Sequence, residues 1–179
     1  MKARYGDNST DVDEVRMDEK TRTLINIDTV HSEIHKGNHF FIAGHQDVGA
    51  GSSIDFTVVT TTGVKVHLLF EIEGTDAVSV EAYEDVTVDV QGTSATPQNN
   101  DRNSSNSSQV TVRVGDTFSD TGTKFSERYS GARKVTGFLD REEELILKEN
   151  TTYLFRIKNE STSTNHISYY GKWYEVEDL

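Results

Sequence analysis

The sequence predicts an all-β fold, an antiparallel β-sandwich of jelly-roll type with long polar loops and a flexible N-terminal arm. Three observations carry this. Apolar residues recur at every second position in run after run: Val64, Val66, Leu68, Phe70 and Ile72 alternate with Lys65, His67, Leu69, Glu71 and Glu73, the pattern of a strand with one buried face. The β-branched residues Thr, Val and Ile fill most of these runs, and they suit a pleated, half-buried surface. Eight or so such runs, separated by polar stretches, imply two packed sheets. A closed barrel is the competing architecture; the uneven strand spacing favours the sandwich.

The elements follow in order. Met1 to about Arg22 is polar, mixes both charge signs and shows neither period, as expected of an arm that is mobile in the free protein or orders against a partner. Residues 23–179 then form one β-sandwich domain. Ile54, Phe56 and Val58 alternate just before Val64, and Thr61-Thr62-Gly63 between them reads as a short hairpin turn. Further runs are Val78–Ala82, Val86–Val90, Val110–Val114, Leu145–Leu147, Tyr153–Ile157 and Ile167–Trp173, with Lys148–Thr151 suited to a hairpin loop. The stretch from Asp140 to Leu145 is too short and too charged for more than a turn. Gln91–Gln109, dense in Asn and Ser, reads as a long structureless loop, uncommon inside a compact domain and usually functional or disordered. Thr117–Lys134 carries Phe118, Phe125 and Tyr129; it is either a protruding hairpin whose aromatics a neighbour buries, or a loop folded back on its own sheet.

Charge and composition exclude whole classes. Lys and Arg number 18 against 30 Asp and Glu, a net −12, so the clustered positive charge that coats nucleic acid is lacking. With no Cys, disulfides, thiolate metal sites and cysteine nucleophiles fall together. No apolar run approaches the ~20 residues of a membrane span. Met1–Thr10 offers no signal-peptide core, so synthesis in the cytoplasm is expected and the Asn-x-Ser/Thr triplets at Asn8, Asn103, Asn106, Asn150 and Asn159 read as composition.

Catalytic motifs are sparse. Gly44–Ser53 has glycines but no following Lys or helix, so it is no P-loop, and no Gly-x-Ser-x-Gly turn occurs. Acidic pairs are too many to single one out. The chain is therefore expected not to be an enzyme and to hold no cofactor. His31, His35 and His39 stand four apart; Gly37 and the strand-like flanks argue for an extended stretch and against a helical metal pair. His31, Glu33 and His35 then share one face, which could hold a weak divalent ion; hydrogen-bonded histidines at a strand end or an interface are the expectation, with no metal. In the tail, Tyr169 and Trp173 share one strand face and should enter the core, leaving Tyr170 and Tyr174 for a surface contact.

The run His31–Phe40, then Thr96-Pro-Gln-Asn-Asn-Asp-Arg-Asn-Ser104, then Glu143–Ile157, and finally Trp173-Tyr-Glu175 resemble, in that order, small head decoration, cement or minor capsid proteins of tailed bacteriophages. The resemblance covers about Arg22 to the C-terminus. It implies a jelly-roll protein made in the host bacterium that binds the major capsid protein on the capsid exterior, often as a homotrimer, and stabilises the shell. No catalytic residue is carried over. Arg102, Asn103, Phe125, Tyr129, Tyr170 and Tyr174 are the expected interface residues. The alternative is a carbohydrate-binding sandwich that attaches to a glycan through Trp173, Tyr170 or Tyr174. Neither role involves nucleic acid or a membrane.

Overall fold

The computed structural model describes residues 29–132, 135–138 and 144–177. The expected arm, residues 1–22, and the acidic turn at 140–143 lie outside the described residues. Among the described residues, one helix, α1 (Thr29–Lys36), leads into fourteen strands. These are β1 (His39–Val48), β2 (Ser53–Val59), β3 (Val64–Gly74), β4 (Val78–Glu84), β5 (Thr87–Val90), β6 (Thr93–Ala95) and β7 (Gln98–Asn99). They continue as β8 (Thr111–Val114), β9 (Thr117–Asp120), β10 (Thr123–Ser130), β11 (Val135–Phe138), β12 (Leu145–Leu147), β13 (Thr152–Asn159) and β14 (Asn165–Glu177).

Two antiparallel sheets face each other. The first runs β11-β3-β14-β1-β7, with β12 also pairing β3; the second runs β10-β4-β13-β2-β8-β6. Stripped of the excursion between β4 and β10, the chain alternates sheets through β1, β2, β3 and β4, stays in the second sheet for β10, then alternates again through β11, β13 and β14. This gives four-strand orders β11-β3-β14-β1 and β10-β4-β13-β2. That is the strand order of a jelly roll, as expected.

The alternation reads the buried faces of the long strands correctly, whereas in the run Val86–Val90 it does not, since β5 lies outside the two main sheets and leaves Val90 59% exposed. Phe56, Phe70, Ile72, Val80, Phe155, Ile157 and Trp173 are all buried in one core between the sheets. Its aromatics meet edge to face: Phe56 on Phe70 at 5.5 Å and on Tyr169 at 4.6 Å. Burying each such ring contributes about 1.5–3 kcal/mol.

Four expectations are corrected. Thr61–Gly63 and Lys148–Thr151 are not hairpin turns: β2 and β3 lie in different sheets, as do β12 and β13. Alternation reveals which face is buried but not which strand lies alongside, and a short link can cross between sheets as easily as turn back within one. Gln91–Gln109 is not structureless. Ala95 pairs with Val112 of β8, and β7 pairs Asn99 with Phe40. The residues after β7 are fixed by their own side chains. Asn99 Oδ1 accepts from Asp101 N at 2.9 Å, and Asp101 Oδ1 from Asn103 N at 3.0 Å, turns that Asn and Asp form locally.

The third correction concerns Thr117–Lys134, which divides. β9 pairs with β5 in a separate two-stranded ribbon, while β10 is the edge strand of the second sheet beside β4. Fourth, residues 29–36 are helical rather than extended. Gly37 adopts φ +74°, Asn38 N donates to Glu33 O and Gly37 N to Ile34 O, each at 2.9 Å. This is the left-handed glycine stop that closes a helix.

Candidate functional site

Two features of the described surface stand out: an aromatic cleft on the outer face of the first sheet, and an open side of the sandwich. The cleft begins with strand register. His39 of β1 sits opposite Tyr174 of β14, which sits opposite His67 of β3. All three side chains point away from the core, and their rings stack in a row. Tyr174 lies 4.4 Å from His67 at 12° and 6.5 Å from His39 at 18°. Glu144 closes one end. Its Oε1 lies 2.8 Å from His67 Nδ1 and accepts from the Tyr174 hydroxyl at 3.3 Å.

Helix α1 stands beside this row and turns Val30 and Ile34, one turn apart, into a cleft of ≈ 360 Å³ that also reaches Asn100, Tyr170 and Lys172. Lys172 pairs with Glu71 and sits 5.5 Å from the Tyr170 ring centroid. His39 is 5% exposed, and its Nδ1 has no hydrogen-bond partner among the described residues. Burial pushes this imidazole below its ordinary value, with the Lys172 charge adding to the effect and Asn100 opposing it. His39 is thus held neutral in the fold near pH 7.

The inner face at the same end is anchored by Glu175. It accepts from the Trp173 indole Nε1 at 3.0 Å, from Ser108 Oγ at 2.5 Å and from Gln109 N at 3.0 Å. One buried carboxylate therefore pins the loop before β8 to the last strand. On the outer face of the second sheet, charges are paired across strands. Asp55 takes two bonds from Arg156, at 2.8 and 2.7 Å. Burial alone would raise the Glu81 carboxyl, but the Tyr83 hydroxyl, Lys158 and Lys124 outweigh it and hold the group below its usual range.

The open side has a topological cause. The excursion between β4 and β10 adds β7 beyond β1 and β8-β6 beyond β2, extending both sheets on that side with strands of two to four residues. The opposite side, where β10 ends one sheet and β11 and β12 end the other, has no added strand among the described residues. Three of the four large apolar residues exposed among those described lie there: Phe125 at 40%, Tyr129 at 69% and Ile146 at 62%. Phe125 is the unpaired residue of a bulge between Lys124 and Ser126. The two sheets are tied there by Arg128, whose Nη1 donates to Gly137 O at 2.9 Å and whose guanidinium lies over Phe138.

The six expected interface residues therefore fall in three places. Phe125 and Tyr129 share the open side. Tyr170 lines the cleft, and Tyr174 lies there too but is buried between two histidines rather than left for surface contact. Arg102 and Asn103 are exposed in the loop that follows Asn100 at the cleft's rim. Trp173 is buried in the core, which withdraws it as a sugar platform. His39, His67 and Glu144 were not expected in the site; only strand register brings them together. A scan against protein-family models finds no match, and a search of curated proteins finds none either. Fold and site define the class at this level: an all-β jelly-roll protein with one open side and one aromatic cleft.

Proposed function

We propose that this chain is a structural protein of a tailed-phage head. It attaches to the outside of the shell, works without a bond-making step, and assembles as a homotrimer through the open side of its sandwich. The observation that carries this reading is that Phe125, Tyr129 and Ile146 are all exposed on the edge strands where both sheets end. Exposed strand edges bearing apolar side chains pair readily with other chains, and monomeric proteins blunt them. Here the opposite side is extended by short strands while this side keeps its aromatics. A second copy is the occupant to which the open side is assigned, since rotational closure buries the same edge in every subunit. Shell binding then stabilises the particle by mass action, summed over many modest contacts. The resemblance in residue order to decoration proteins supports the same reading, and the net charge of −12 suits an exterior surface that keeps particles apart.

Light scattering on the full chain tests the assembly. The expected mass is three times that of one 20.0 kDa chain, falling to one chain in the double variant Tyr129→Lys, Ile146→Lys with an unchanged circular dichroism spectrum. A monomeric wild type would overturn the assembly mode.

A glycan-attachment role is the second reading, and the cleft is what favours it. Its volume of ≈ 360 Å³ lies in the range of small-ligand sites, with half-buried Tyr170, Asn100 and Lys172 as ring and hydroxyl partners. Glycan-array binding lost in Tyr170→Ala would establish it.

A further inference from the structure

The exposed face of α1 carries a feature that neither the open side nor the cleft uses. His31 and His35 lie one helical turn apart, and both are exposed. Their Nε2 atoms are 3.0 Å from one another, and the rings meet edge to face at 4.6 Å. Of the chain's six histidines, this is the pair whose ring nitrogens lie within hydrogen-bond distance of each other: His39 is buried, His67 is engaged by Glu144, His166 by Asp47, and His45 lies on β1 opposite Ser168.

We propose that His31 and His35 form a two-nitrogen chelate for a divalent transition-metal ion, with Cu²⁺ and Ni²⁺ preferred. The geometry sets the preference. With metal–nitrogen bonds of about 2.0–2.1 Å, nitrogens separated by this distance subtend roughly 90–100° at the ion. That matches adjacent corners of a square-planar or tetragonal site, the arrangement Cu²⁺ and Ni²⁺ favour with nitrogen ligands, and Cu²⁺ heads the affinity order. Zn²⁺, which prefers the wider tetrahedral angle, requires the rings to part slightly and binds more weakly.

Among the described residues no third protein ligand joins them. Glu33, two residues from each and so on the opposite side of the helix, is buried and accepts from Lys36 Nζ at 2.7 Å and Asn38 Nδ2 at 3.1 Å. Among the described residues no group of three or more His, Cys, Asp or Glu is placed to share an ion. No described residue fills the remaining coordination positions, which are open to water or buffer. Protons compete for the same nitrogens, so affinity falls as pH is lowered. A bound ion also bridges one full turn of an eight-residue helix, a length that is marginal without tertiary support, so α1 is stabilised by the ion.

The test is calorimetric titration of the full chain with CuCl₂ and NiCl₂ in a non-coordinating buffer. It compares wild type with His31→Ala, His35→Ala and the double variant, with His35→Gln as a milder partner and His45→Ala as a control. A chelate predicts that either single change weakens binding as much as both together, by at least about tenfold, and that His45→Ala changes nothing. Copper electron paramagnetic resonance then shows two-nitrogen coordination in wild type alone. Binding unchanged in either single variant, or losses that simply add, would overturn the site. Both side chains are exposed, so an unchanged thermal midpoint without metal confirms that the variants fold.

Discussion

Tyr174 lies flat on His67, ring centroids 4.4 Å apart and planes 12° apart, and Glu144 touches both, through the phenol hydroxyl and through the imidazole Nδ1. A tyrosine on the outer face of a sheet is thereby as buried as a core residue, 4% exposed. Tyr174→Ala is expected to cost about 3–5 kcal/mol, the range for deleting a buried aromatic ring. Tyr174→Phe removes the long hydrogen bond to Glu144 and is expected to cost about 0.5–1.5 kcal/mol. Urea denaturation of the two variants checks the contrast; equal, small losses would mean the ring is not held in this stack.

His39 gives the fold a pH dependence of definite sign. Its pKa in the fold lies below the ordinary 6.5, so between the two values the unfolded chain binds the extra proton and the folded one does not. Stability contributed by this site is therefore complete above the unfolded value and declines as pH falls through it. The wild-type midpoint in urea should drop between pH 7 and pH 5 more steeply than that of His39→Gln. Parallel curves would contradict the assignment.

The β8 turn depends on one ion pair. Asp116, with its side chain fully buried, receives Arg113 Nε at 3.1 and 3.0 Å and the Gly92 N–H at 2.7 Å. Burial would raise this carboxyl, but Arg113 and the backbone donor prevail and hold it below its usual value. Asp116→Ala leaves a mostly buried guanidinium without its partner and is expected to cost about 3 kcal/mol. The carboxylate's own contribution is present above the ordinary 3.8 and is lost as pH falls through its lower folded value. Asp116→Asn should accordingly flatten the acid limb of the stability curve.

Gly137 shows how tightly the open side is built. It adopts φ +116°, and a Cβ placed there would stand 2.0 Å from the Phe70 carbonyl oxygen. Gly137→Ala must break the pairing of β11 with β3 and is expected to cost more than about 2 kcal/mol. Faster amide exchange confined to β11 and its neighbours on β3 would be the signature; protection equal to wild type would contradict it.

What was legible in the sequence was the period, and with it the inward faces of nearly every long strand: Phe70 and Ile72, Phe155 and Ile157, Tyr169 and Trp173. What was not legible was adjacency. The same alternation that buries Val58 and Val64 is silent on whether their strands are neighbours in one sheet or partners across the core, so two sheet-crossing links read as hairpins. Helix α1 was missed because its eight residues bring only Val30 and Ile34 to one face, too little periodicity to outweigh Gly37 and the flanking strands. The cleft was missed for a related reason. His39, His67 and Tyr174 come from three separate strands, and no local pattern marks outward positions as stacked until the register is known.

The most direct test of the proposed role is the copy number of this chain, by quantitative mass spectrometry against the major capsid protein, in purified particles of the phage to which the proposal assigns it. A shell-decorating trimer requires hundreds of copies in fixed ratio to that protein. A handful of copies, or none, would contradict it.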